Sequence, residues 1–273
     1  MNFKFLRYMK IVGLFFCAIL IYSNNAFATS DKITDLKQFN TSDNLAIFSN
    51  NTILMDYNTD TIIQSKNAFN KIFPASTTKL LTAILVLENL DLNSTTTASK
   101  TAIYSTPSGS SHISLKVGET LTIEELLYGL LLNSGNDAAN VLAEAVSGNI
   151  KDFIIKMNEK AKEIGCLNTN FVNAHGFHND NHYTTPYDMM KILKYAINMD
   201  SFKKICEAKR YVINETNLTN EKRYLKNTNK LLFNTNEDSK GLFYEYSLGG
   251  KTGYTIEARG AFVYPVLPPS EYS

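Results

Sequence analysis

Ser76 and Lys79 stand three residues apart in Ser76-Thr77-Thr78-Lys79. On a helix that spacing puts both side chains on one face, about a turn apart. A serine hydroxyl is a weak nucleophile at neutral pH and needs a base within hydrogen-bond reach. A lysine serves as that base only when burial, the positive end of a helix or a second cation lowers its pKa. Pro74 precedes the pair at an expected helix start, and the run beyond, Leu80 to Leu90, is apolar. Those conditions suit a depressed lysine, and the Ser76 backbone N–H would be free there to help bind an oxyanion. The pattern alone is weak, since about one chance match is expected in a chain of this size. Ser201-Phe202-Lys203-Lys204 fits the same template. Taken by itself, Ser76 is an ordinary helix cap.

Two further groups could complete a site. In Ser134-Gly135-Asn136, at a break between two expected helices, a hydroxyl and an amide can face one cleft. The hydroxyl can relay a proton, and the amide can orient a substrate amide. Ser42-Asp43-Asn44 and Ser147-Gly148-Asn149 match equally well, and helix capping is the plain use of Ser134. In Lys251-Thr252-Gly253 the lysine supplies positive charge and the threonine a hydroxyl for an anionic group. Gly253 allows close approach to the backbone, and a strand edge can pair with an extended ligand. Order adds what each group lacks: Ser134 follows Ser76 by 58 residues (134 − 76), and Lys251 follows Ser134 by 117 (251 − 134).

These residues need a scaffold. A hairpin is expected from Thr52–Asp56 and Thr61–Ser65 around Tyr57-Asn58-Thr59-Asp60. A buried helix follows over Leu80–Leu90, and then a short β-prone stretch from Ser94 to Thr101. Helices are expected over Thr122–Leu132, Asp137–Val146, Lys151–Ile164 and Pro186–Asn198. An Asn- and His-rich loop, Asn168 to Tyr183, precedes the last of them. Short strands are read at Tyr211–Ile213 and Arg223–Lys226, and a longer one over Leu242–Thr255, interrupted at Gly249-Gly250. Strands at both ends with helices between predict an α+β fold, an antiparallel sheet drawn from both termini around a helical insert.

The 273 residues suffice for one large domain. With 44% hydrophobic and 19% charged residues, the chain is neither disordered nor a polytopic membrane protein. Residues 1–28 read as a signal peptide: Lys4, Arg7 and Lys10, then apolar Ile11 to Tyr22, then Ala26-Phe27-Ala28. The alternative, an uncleaved anchor, is disfavoured because the apolar run falls short of the ~20 residues of a span. Residues 29–44 are a polar leader. Without the three leading cations, 24 basic residues face 26 acidic ones, a net −2 with no footprint for nucleic acid. Bulky Phe15 and Phe16 before Cys17 argue against a lipoprotein. Cys166 and Cys206 could form one disulfide or remain two buried thiols.

A serine-x-x-lysine, a serine-x-asparagine and a lysine-threonine-glycine in this order form the known signature of penicillin-binding proteins and class A β-lactamases. The surrounding text sharpens it: FPASTTKLLTAILVLE from Phe73, LTIEELLYGLLLNSGNDAANVLAE from Leu121, FVNAHGFHNDNHYTTPYDM from Phe171 and GGKTGYT from Gly249. The chain resembles the secreted D-alanyl-D-alanine carboxypeptidases, the low-molecular-mass penicillin-binding proteins, over Leu45 to Glu257. The resemblance implies their fold, with a catalytic domain over 45–260. It makes Ser76 the acylated nucleophile, Lys79 its general base and Ser134 a proton relay. Asn136 would hold the substrate's peptide group, and Lys251 and Thr252 its carboxylate, beside Gly253. The N–H groups of Ser76 and Tyr254 would form the oxyanion hole. The substrate would be a peptidoglycan pentapeptide stem ending in D-Ala-D-Ala, and β-lactams would bind covalently. No metal or organic cofactor is implied. The enzyme would work on the outer side of the cytoplasmic membrane, with peripheral membrane contact open.

The match departs at the end. Ala258-Arg259-Gly260 carries an extra arginine, and Pro265, Pro268 and Pro269 crowd the atypical tail, residues 261–273. Prolines oppose a strand-and-helix ending, so the final strands and closing helix are expected to be missing, leaving Lys251 on a strand with an unpaired edge. An inactive, truncated wall-binding homologue is therefore one alternative. A class A-like β-lactamase is another, with Glu163 the nearest candidate for the deacylating base, one residue off the usual spacing. That reading also meets Gly135 where an aspartate is usual. A zinc site at His175, His178 and His182 is a third, with no metalloprotease glutamate beside it.

Overall fold

The computed structural model describes residues 48–268. The signal peptide and leader expected over 1–44, and the end of the tail, lie outside the described residues. The chain divides into two compact units at Ala68 and Phe69.

The described part of the first unit is the expected hairpin. Strand β1 (Thr52–Met55) pairs antiparallel with β2 (Ile62–Lys66), Thr52 opposite Lys66, with a bulge between Leu54 and Met55. Asp56 closes the turn, its Oδ1 accepting from both N and Oγ1 of Thr59 at 2.7 Å. That local bond is why an aspartate opens such a turn.

The second unit is built around one helix. A 3₁₀ turn, Ala75–Thr78, runs into α1 (Lys79–Asn89), and every residue of α1 from Lys79 to Val86 is buried. A helix apolar all round belongs inside a core. Around it pack α3 (Ile123–Leu131), α4 (Asn136–Ser147), α5 (Ile150–Glu163), α6 (Pro186–Ala196) and α7 (Asp200–Glu207). Leu80, Ile84, Leu127, Leu130, Phe153 and Phe202 are almost wholly buried in this cluster, each such side chain contributing about 1.5–3 kcal/mol. The helix boundaries follow from side-chain chemistry. Thr122 and Glu125 make a reciprocal capping box at α3, and Asn149 and Thr185 cap α5 and α6, the latter with Pro186 at its first position. Gly148, at φ +76°, ends α4.

Strands complete the α+β class as antiparallel pairs: β3 (Thr95–Thr97) with β4 (Thr120–Thr122), β5 (Arg210–Ile213) with β6 (Arg223–Lys226), and β7 (Lys251–Thr255) with β8 (Arg259–Val263). Three expectations change. The β-prone stretch at 94–101 gives way after Ala98, because Ser99 caps a short helix, α2 (Lys100–Tyr104), by accepting from the Ala102 N–H at 2.9 Å. The strand expected over Leu242–Thr255 begins only at Lys251, after Gly249 and Gly250 at φ +91° and +110°. Of the final strands expected to be missing, one is present. β8 follows β7 directly, with Lys251 opposite Val263 and Thr255 opposite Arg259. The prolines thought to oppose it begin at Pro265, past the strand. Among the described residues no helix follows β8. Helix α8 (Asn236–Ser239) lies between β6 and β7. Cys166 and Cys206 are buried free thiols.

Candidate active site

Lys79 is the first residue of α1 and has no exposed surface. Its Nζ lies 2.9 Å from Ser76 Oγ, 2.7 Å from Asn136 Oδ1 and 2.6 Å from the His175 carbonyl. Burial pushes its pKa well below the ordinary lysine value, and the Lys251 charge pushes further, against the opposing pull of Asp137. A neutral amine has two N–H donors and one lone pair. The two shorter contacts, Asn136 Oδ1 and the His175 carbonyl, are acceptors only and take the two donors. The lone pair is left facing Ser76, where it can accept the Oγ proton. This is the geometry of a general base.

The three sequence groups converge on this lysine. Asn136, buried, is the first residue of α4. Its backbone N–H donates to the Ser111 carbonyl at 2.8 Å. Ser134 lies in the turn between α3 and α4 at φ +60°, a left-handed conformation that costs a non-glycine residue about 1–2 kcal/mol. Its buried hydroxyl has no protein hydrogen-bond partner among the described residues, so a mobile proton there is not committed elsewhere. Gly135, where class A β-lactamases usually carry aspartate, has little room for a side chain: a Cβ there would stand 2.9 Å from Asp137 Oδ1. Asp137 instead binds the N–H groups of Ile113 and Leu115 at 3.1 and 3.0 Å, tying the 113–115 segment to the start of α4.

Strand β7 forms the opposite wall. Gly253 lies against the nucleophile turn, and a Cβ there would meet Ser76 N at 2.8 Å. Only glycine lets the strand backbone approach the Ser76 amide this closely. Lys251 is 1% exposed, and burial pushes its pKa down to about 7, with Cys206 opposing the shift. Its Nζ donates to the Thr252 carbonyl at 2.7 Å. Thr252 Oγ1 lies 2.6 Å from Thr228 Oγ1. Tyr254 is 67% exposed, so any contribution it makes to an oxyanion comes from its backbone. Ser76 itself is half-buried at the junction.

Sequence reasoning missed the His175 carbonyl, Thr78, His182, Gly176 and Thr228. All but Thr228 lie within the quoted stretches from Phe73 and Phe171, but those stretches assign them no contact. The zinc alternative loses its ligands here. His182 uses Nδ1 to accept from Val172 and Nε2 toward Thr78, and His175 Nδ1 accepts from Phe177. Glu163, the β-lactamase candidate, is exposed at the end of α5 and pairs with Lys160 at 2.9 Å.

The sequence matches the D-alanyl-D-alanine carboxypeptidase family, Peptidase S11, over residues 37–266. A D-alanyl-D-alanine carboxypeptidase of Bacillus subtilis (strain 168), DacF, is 34% identical over 88% of this chain and 58% of its own length. The D-alanyl-D-alanine carboxypeptidase of Streptomyces sp. (strain K15) is 34% identical over 77% of this chain and 73% of its own. The chain thus spans little more than half of the Bacillus relative. Among solved structures, the D-alanyl-D-alanine carboxypeptidase of Mycobacterium tuberculosis H37Rv superposes with a TM-score of 0.72 at 30% identity, covering 81% of this chain and 78% of that one. The Streptomyces K15 DD-transpeptidase gives 0.73 at 33%, covering 82% and 87%.

Proposed function

The chain belongs to the D-alanyl-D-alanine carboxypeptidase family, and on that premise we propose that it is a serine D,D-carboxypeptidase acting through an acyl-enzyme on Ser76. Its substrate is the peptidoglycan pentapeptide stem, and its place is the outer side of the cytoplasmic membrane, reached through the signal peptide read at residues 1–28. One observation carries the reading: a fully buried Lys79 amine, with both donors engaged, 2.9 Å from Ser76 Oγ.

The reaction follows from that arrangement. Ser76 Oγ attacks the carbonyl carbon of the penultimate D-Ala while Lys79 takes the hydroxyl proton. The N–H groups of Ser76 and Tyr254 stabilise the tetrahedral oxyanion, an effect commonly worth about 10²–10³-fold per donor. The C–N bond then breaks. The proton held on Lys79 passes through the Ser134 hydroxyl to the departing amine, and D-Ala leaves. Water hydrolyses the remaining ester and restores the Ser76 hydroxyl. Lys251 and Thr252 hold the terminal carboxylate, and Asn136 orients the peptide. A β-lactam enters the same path, but its leaving nitrogen stays tethered, so the acyl-enzyme persists.

Incubation with a D-Ala-D-Ala pentapeptide should release one D-Ala per stem, and penicillin should add one mass equivalent to the protein. Folded protein that neither releases D-Ala nor gains the adduct would refute the reading and leave an inert wall-binding homologue. Rapid turnover of penicillin without a lasting adduct would point to a β-lactamase.

A further inference from the structure

We infer that His182 is a positioning residue for the nucleophile: through the Thr78 hydroxyl it fixes the Ala75 carbonyl, and with it the left-handed turn that aims Ser76. The inference rests on the proposal that Ser76 is the nucleophile, but it concerns residues to which the three motifs give no role.

The chain of contacts is continuous and directional. The Val172 N–H donates to His182 Nδ1 at 3.0 Å. Nδ1 is therefore the acceptor nitrogen, and the neutral ring carries its proton on Nε2. Nε2 lies 2.8 Å from Thr78 Oγ1 and donates to it. With its lone pair so engaged, the Thr78 hydroxyl donates to the Ala75 carbonyl at 2.8 Å. Ala75 adopts φ +48°, in the left-handed region that an alanine avoids unless its surroundings hold it there. A second contact closes the clamp. Gly176 packs so tightly on this carbonyl that a Cβ would stand 1.8 Å from Ala75 O. The residue after Ala75 is Ser76, so the peptide plane held by this chain carries the Ser76 N–H.

The ring is built to stay in one state. His182 is 1% exposed, and its ring meets Phe171 edge-on, with centroids 5.4 Å apart. Its backbone is fixed as well, the His182 N–H donating to the Asn179 carbonyl at 2.8 Å. Burial holds its pKa down to about 3, with Lys79 and His178 adding to the effect. The ring therefore keeps a single proton on Nε2 across neutral pH. Bridges between Ile72 and Thr184, at 2.8 and 2.9 Å, tie the same loop to the strand of chain entering the nucleophile turn. The Asn- and His-rich loop thus works as a clamp on the turn.

The test compares Thr78→Val, which removes the hydroxyl at nearly constant shape, with Thr78→Ser, which keeps it. His182→Asn and His182→Gln form a second pair, since Gln can place an N–H near the Nε2 position. The readouts are the second-order rate of penicillin acylation on folded protein, its pH profile and the melting temperature. T78V and H182N should acylate on the order of tenfold to a hundredfold more slowly. T78S and H182Q should stay within about threefold of the parent. The pH profile should drop without shifting, because the base is untouched. Unchanged rates in T78V, equal losses in T78V and T78S, or a shifted acid limb would each overturn the inference. Failure of the parent protein to label, with S76A equally silent, would instead remove the nucleophile on which it stands.

Discussion

Ser76-Lys79 and Ser201-Lys204 share one sequence pattern and one spacing, yet the fold gives them opposite chemistry. Lys79 is fully buried at the start of α1, which packs against five other helices, and burial drives its pKa down. Lys204 sits on α7 with its side chain 67% exposed, paired with Glu124 at 2.9 Å, and the bond to that carboxylate raises its pKa. Burial disfavours the proton on one lysine, and a carboxylate partner favours it on the other. Phe202, Ile205 and Cys206 are the buried residues of that helix and turn its core-facing side away from Lys203 and Lys204. A serine three residues before a lysine is therefore offered a base only where the lysine cannot be solvated.

The contrast can be broken by substitution. S76A should abolish the penicillin adduct, while S201A should leave it intact, both read by intact mass. Replacing Lys79 by Met should slow acylation by about 10³-fold, in the range expected for loss of a general base, and K204M should leave it within about twofold. N136A removes one of the two acceptors that aim the Lys79 lone pair, and should cost acylation roughly tenfold to a hundredfold. A smaller effect sharpens the role of the second buried cation. Acylation should rise with pH as Lys79 loses its proton, then fall as Lys251 loses its charge, since its pKa lies near about 7 in the free protein. In K251R, whose guanidinium stays charged, the acid limb should remain and the alkaline limb should vanish. A K251R profile that keeps its alkaline limb would show that another group sets it.

Much of this was legible in the chain. The helix under the nucleophile follows from Leu80 to Leu90, and Thr122, Asn149 and Pro186 mark the starts of their helices through capping chemistry. The order of the three motifs separates Ser76 from its decoy. What could not be read was tertiary. The His175 carbonyl that accepts from Lys79 is a backbone group 96 residues away and carries no sequence signal. His182 and Thr78 are 104 residues apart. The pairing of β8 with β7 was obscured by the prolines that follow it, because a proline count over a tail ignores where the first one falls. The contact that keeps position 135 small, Asp137 Oδ1 2.9 Å from where a Cβ would stand, is likewise invisible in the sequence.

The central claim, an uncharged Lys79 amine facing the Ser76 hydroxyl, can be measured without any substrate. Protein labelled with ¹³C at the lysine Cε positions should be titrated by NMR, with K79M and K204M assigning the two resonances. Lys79 should lose its proton at a pH well below the ordinary 10.5, while Lys204 titrates above it. Should Lys79 hold its proton up to the pH at which Lys204 releases its own, the amine is no base at neutral pH and the mechanism is contradicted.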